Sequence, residues 1–217
     1  MNKLFFGVLV SWSCWAQPVM TTPERIKVEF PGGSIFRTGP LEMPPPEIPQ
    51  ERPTGQSISV SQLQHKISKE AGRAYKHARK LSRAGEHGKA AADLETVVQR
   101  DPEFSQAQNQ LGVEYAYLGR WEEAEIALRE SLKLEPASWS AHYNLGLVLY
   151  GKGDLPGAEQ STRRALQFSS QNPQAHLFLG YLLLLRAETR AQGLQEVKFA
   201  ARTMTAARRL LRTLEAR

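Results

Sequence analysis

SQAQNQLGVEYAYLGRWEEAEIALRESLKLEP, Ser105 to Pro136, holds two helix-spaced apolar segments, around Leu111 to Tyr115 and Ala124 to Leu128, parted by Gly119 and closed by a proline. Its landmarks return every 34 residues: Gly85, Gly119 and Gly153, then Ala90, Ala124 and Ala158, then Gly112, Gly146 and Gly180, and Pro102 with Pro136. A fixed period of that length predicts a stacked array of two-helix units. Gly85, Gly119 and Gly153 read as turn residues ending each first helix, where a left-handed backbone is cheap only for glycine. Gly112, Gly146 and Gly180 fall inside helices, where glycine costs about 1 kcal/mol against alanine. Their return at one register therefore predicts close helix contact.

Counted from Ala71, Ser105, Trp139 and Pro173, four units follow one another. Unit two has Leu111-Gly112 and Tyr115, then Ala124 and Leu128, then Pro136. Unit three has Leu145-Gly146, Leu149 and Ala158, with polar Thr162 where a large apolar residue is expected and a late Pro173. Unit one is looser, through Ala78, Leu81, Ala90, Leu94, Val97 and Pro102. This pattern resembles the tetratricopeptide repeat over roughly residues 71 to 205, although the family's tryptophan position holds Ala74, Gln108, His142 and His176. The resemblance implies an all-α, right-handed α-solenoid of about four units, 71–104, 105–138, 139–172 and 173–205, with capping helices at both ends.

The periodicity predicts a first helix from Ser61, whose spacing to Gln64 suits a capping box, and then helices near 87–100, 104–118, 121–134, 138–152, 155–169 and 174–187. In unit four Ala187 replaces the turn glycine and the connection is longer, so its second helix is expected near Leu194. A last amphipathic stretch, Ala206, Leu210, Leu211 and Leu214 with Arg208, Arg209 and Arg212 outward, is expected to close the stack over 206–216.

Residues 1–16 have the layout of a secretory signal peptide: Lys3, an apolar run from Leu4 to about Trp15, and a cut after Ala16. The run is shorter than the roughly 20 residues a spanning helix needs. A retained anchor is one alternative and lipid attachment at Cys14 another, the latter opposed by Ser11 and Trp12. Cleavage would remove Cys14, the single cysteine, and leave no thiol chemistry. The expected destination is the periplasm or exterior of a bacterium. Residues 17–57 contain nine prolines and read as an extended or disordered linker, with RIKVEF (Arg25–Phe30) as a lone strand. Residues 58–217 form the repeat domain.

Net charge is +6, unevenly placed. Residues 61–90 carry eight Lys/Arg against two acids, residues 91–160 twelve acids against five bases, and residues 161–217 ten bases against three acids. Basic ends around an acidic middle suit solvated helix faces, or salt-sensitive contact between copies. Nucleic acid is not expected, because no basic stripe interleaves with base-reading aromatics. No phosphate-cradling glycine loop or nucleophile motif occurs, Glu122, Glu123 and Glu125 suit a helix start, and His142 and His176 share a repeat position without further ligands. No enzyme activity, cofactor or metal is expected.

What the family resemblance implies is a protein or peptide held against the first helices, which line the inner wall. By register the contact residues are Tyr75, Arg79, Asn109, Gln110, Val113, Tyr117, Tyr143, Asn144, Leu147, Tyr150, Phe178 and Tyr181. Tyrosine offers area at low entropy, and Asn and Gln can bond an extended backbone. About half of the aromatics are expected to be mostly buried in the core. The carboxylate clamp of chaperone-docking relatives is not expected, since its places hold Tyr75, Arg79, Gln110, Ser140 and Asn144. The chain's own linker, through Phe30, Ile35, Phe36 and Leu41, is a second candidate occupant. A self-assembling envelope protein and an accessory subunit of a surface complex are the rival functions.

Overall fold

The computed structural model describes residues 67–215, which form an α-solenoid of nine helices. These are α1 (Lys69–Arg83), α2 (His87–Arg100), α3 (Ser105–Tyr117), α4 (Trp121–Leu134), α5 (Trp139–Gly151), α6 (Leu155–Phe168), α7 (Pro173–Leu184), α8 (Arg190–Ala201) and α9 (Thr205–Glu215). The pairs α1–α2, α3–α4, α5–α6 and α7–α8 form hairpins, each stacking on the next, and α9 packs on α8. No strand occurs among the described residues. The proposed leader, the linker and the Arg25–Phe30 strand lie outside them.

Three hairpins turn in the same way. Gly85, Gly119 and Gly153 have φ of 77°, 73° and 85°, the left-handed region. The residue after each donates back to the last turn of the first helix: Glu86 N to Leu81 O (3.0 Å), Arg120 N to Tyr115 O (2.9 Å) and Asp154 N to Leu149 O (2.9 Å). That bond and the glycine form a Schellman cap, which satisfies carbonyls the helix leaves open. The 34-residue beat of glycines is thus a beat of identical turns.

Small residues set the helix separation within each hairpin. A Cβ on Gly112 would lie 2.6 Å from Leu128 Cγ and 3.0 Å from the Ala124 carbonyl; on Gly146 it would lie 2.8 Å from Thr162 Oγ1. Leu128 and Thr162 are both wholly buried. Thr162 fills its apolar place because its hydroxyl donates to the Ala158 carbonyl at 2.7 Å, so no polar atom is stranded. Each fully buried leucine, such as Leu94 or Leu128, contributes roughly 1.5–3 kcal/mol from removal of apolar surface from water.

Three boundaries differ from the sequence reading. Helix α1 begins at Lys69, not at Ser61: Ser68 has an extended backbone and its side chain accepts from Ala71 N at 3.1 Å, so the cap sits one turn before Gly72. The Ser61 and Gln64 capping box lies outside the described residues. Helix α7 ends at Leu184, and α8 begins at Arg190 rather than near Leu194. The longer connection adds just one residue to the period, which becomes 35 between α6 and α8. Gly193 then occupies the place of Ala158, and Val197 that of Thr162. The backbones of Gly180 and Gly193 meet so closely that a Cβ on either would lie 2.9 Å from the other's carbonyl oxygen. Thr189 bridges the new turn, its hydroxyl donating to Leu183 O at 2.7 Å.

The apolar face of α9, Ala207, Leu210 and Leu214, is buried against Val197 and Ala200 of α8, while Arg208, Arg209 and Arg212 are exposed. It packs on the last hairpin; of the expected apolar residues Leu210 and Leu214 are buried, Ala206 and Leu211 are half-buried, and Ala207 takes the third buried place.

Candidate functional site: the wall of first helices

Helices α3 and α5 pack on each other as well as on their own partners, whereas the second helices α4 and α6 make no comparable contact. First helices are therefore drawn together, which makes theirs the inner wall. Further cross-links join α5 to α7. Phe178 meets Tyr143 and Tyr150 edge-on, both with ring centres 6.0 Å apart, and the Tyr150 and Tyr181 hydroxyls are hydrogen-bonded at 2.9 Å. Burial and that bond push the Tyr181 phenol far above its ordinary pKa, so it stays a neutral donor or acceptor.

The twelve residues expected on this wall divide in two. Gln110, Val113, Tyr143, Asn144, Leu147 and Phe178 are buried; Tyr75, Arg79, Asn109, Tyr117, Tyr150 and Tyr181 are half-buried. Of the six aromatics, Tyr143 and Phe178 are buried in the core, and Tyr75, Tyr150 and Tyr181 are partly buried against it. Asn144 Nδ2 donates to Asn109 Oδ1 at 3.0 Å, linking α5 to α3. Asn144 Oδ1 is buried without a hydrogen-bond partner. At the N-terminal end Tyr75 packs on Phe104, ring centres 4.9 Å apart, and the Arg79 guanidinium lies 5.8 Å from the Tyr75 ring centre.

Gln110 has a different job from the one its register suggests. It donates to Glu114 Oε1 at 2.5 Å, and His87 Nδ1 lies 2.7 Å from Glu114 Oε2. Glu114 is wholly buried, and Tyr117 stacks on the His87 ring at 4.0 Å with the planes 3° apart. This network ties α2 to α3, and sequence reasoning missed it. The spacing of Gln110 and Glu114, one helical turn, was the available signal; His87 is distant in sequence and gave none.

The two histidines at one repeat position are structural. His142 Nε2 donates to the Pro136 carbonyl at 3.0 Å, and His176 Nε2 to the Ser170 carbonyl at 2.9 Å, each reaching six residues back into the loop before its helix. Phe168 stacks on His142, and Phe199 lies against His176. Each imidazole thus fastens an inter-unit loop. Burial holds His142 below the ordinary histidine pKa, partly opposed by the bond to Pro136 and reinforced by the Arg164 charge. Tyr115, facing α2, is pushed up to about 12 by burial and by donating to Glu95 Oε1 at 2.8 Å. Among the described residues no group of three or more His, Cys, Asp or Glu is placed to hold a metal, and no helix is long and apolar enough to cross a membrane.

The turn caps, the glycine contacts and the stacked hairpins together define the repeat. Residues 109–173 match the tetratricopeptide repeat family. A curated relative, the type IV pilus assembly protein PilF of Pseudomonas aeruginosa, is 35% identical over 79 residues, 36% of this chain and 31% of PilF. The match thus spans about a third of that relative. Among solved structures, the crystal structure of MamA superposes with a TM-score of 0.56 at 20% identity, covering 61% of this chain and 77% of MamA. An O-GlcNAc transferase mutant of Thermobaculum terrenum gives 0.56 at 27% identity, over 61% of this chain and 26% of the enzyme. The first tetratricopeptide domain of Spaghetti (RPAP3), bound to the HSP90 peptide SRMEEVD, gives 0.52 at 19% identity, over 54% and 94%. These likenesses make the described residues a tetratricopeptide-like solenoid.

Proposed function

We propose that this chain is a non-enzymatic scaffold that holds an extended protein segment along the wall of first helices. What supports the reading is that Tyr75, Asn109, Tyr117, Tyr150 and Tyr181 of the first helices are all half-buried, and that the Asn109–Asn144 bond ties α3 to α5. Phenol rings supply contact area with few rotamers to freeze, and amides read a peptide backbone. The RPAP3 domain is bound to a peptide whose last four residues, EEVD, include three acids, but the residues here do not support a terminal-carboxylate clamp. Gln110 is committed to Glu114, and Tyr75 stands where a cation would be needed.

The leader-like residues 1–16 and the likeness to a pilus assembly protein support export and a role in assembling envelope proteins. The test uses the full chain to select binders from displayed random linear peptides. An Asn109→Ala variant with unchanged circular dichroism should bind the selected peptides about tenfold more weakly, the effect of one or two lost hydrogen bonds. Equal binding by the variant would contradict the reading.

A further inference from the structure

The second helices form the opposite, outer wall, and there the side-chain charge goes from balanced to positive across one period. On α4, Glu125 accepts from Arg129 Nε and Lys152 Nζ, both at 2.8 Å, Glu122 lies 3.7 Å from Lys152, and Glu130 takes Lys133 at 2.6 Å. Three carboxylates there balance three cations. On α6, 34 residues on, Glu159 is held by both Arg163 and Arg186, repeating the Glu125 arrangement. Two compensating acids are gone, Pro156 replacing Glu122 and Arg164 replacing Glu130, while Gln167 stands in place of Lys133.

These residues line an open groove of about 430 Å³ between α6 and the segment after α7, formed by Glu159, Gln160, Arg163, Arg164, Gln167 and Arg186. One carboxylate faces three guanidiniums, and Arg164 donates to the neutral amide oxygen of Gln167 at 3.1 Å. The local charge is +2. Guanidinium forks match carboxylates in plane, and Glu159 between two arginines shows that this surface accepts one.

We propose that the groove on the outer face of unit three binds an acidic extended protein segment, with Arg164 as the main contact for its carboxylates and Gln160 and Gln167 bonding its backbone. Charge complementarity selects the occupant: with three guanidiniums against one carboxylate, the groove repels a basic segment and attracts an acidic one. The site is separate from the wall of first helices, so either reading can fail alone.

Fluorescein-labelled hexaglutamate, titrated against the full chain at low salt and read by anisotropy, tests it. Binding should weaken as salt rises and fall about tenfold or more in Arg164→Gln, an exposed position whose change leaves the core intact. A triple change of Arg208, Arg209 and Arg212 to Gln should leave affinity unaltered, and labelled hexalysine should not bind. Absence of hexaglutamate binding, equal affinity for Arg164→Gln, or loss in the triple variant instead would overturn the proposal. A salt-labile dimer of the free chain, abolished by Arg164→Gln in sedimentation, would also overturn it by giving the groove to a second copy.

Discussion

Glu114 is a carboxylate with no access to water, held by His87 and Gln110, and it illustrates what a residue can do that its pattern hides. Removing one member of such a buried set strands the others, so Glu114→Ala should lower unfolding free energy by about 3 kcal/mol, measured in urea. A loss below about 1 kcal/mol would mean that His87 and Gln110 find other partners. Gly180→Ala and Gly112→Ala should both destabilise, because the new Cβ would meet backbone in each case, Gly193 O at 2.9 Å and Val197 N at 3.0 Å for Gly180, Ala124 O at 3.0 Å with buried Leu128 Cγ at 2.6 Å for Gly112. The expected loss for Gly180→Ala is about 1–3 kcal/mol, the range for overpacking. His142 gives a pH effect. Its folded pKa is lowered from 6.5, so its contribution is complete above that value and is lost as pH falls through the depressed one. The stability advantage of the wild type over His142→Gln should therefore shrink between about pH 7 and about pH 5, where an unperturbed histidine titrates; a constant difference would refute the cause.

At the scale of helices and turns, the repeating glycines were legible because each answers a single geometric demand, a left-handed turn or a close crossing. Boundaries without such a marker were not. Lys69 starts α1 because Ser68 caps it, whereas the apolar spacing continues upstream regardless, and spacing alone carried the expected start to Ser61. In unit four the loss of the turn glycine concealed a one-residue insertion, and Gly193 could be placed only once its contact with Gly180 was seen. Thr162 looked like a departure until its hydroxyl was found bonded within its own helix. Helix α9 makes an element-scale prediction. Leu210 is buried against α8, so Leu210→Ala should cost about 2–4 kcal/mol. In hydrogen exchange the loss should concentrate in α7–α9, since a solenoid's neighbours share stability only locally; uniform destabilisation of α1–α9 would contradict that.

For the molecule as a whole, the array of stacked hairpins follows from the 34-residue beat, and the choice of inner wall follows from first helices that pack on each other. The candidate surface was half legible. Repeat register names candidates for the inner face, but it cannot separate half-buried Asn109 from Asn144, which is buried and bonded to it. Nor does register reveal which inward groups are spent on core networks, as Gln110 is. The outer groove at α6 was legible as a charge asymmetry but not as a place, because Arg186 joins it from beyond the next helix. The most direct measurement is hydrogen–deuterium exchange of the full chain with and without a selected linear peptide. The account predicts added protection along α1, α3, α5 and α7; protection confined to α2, α4 and α6, or none with the peptide bound, would contradict it.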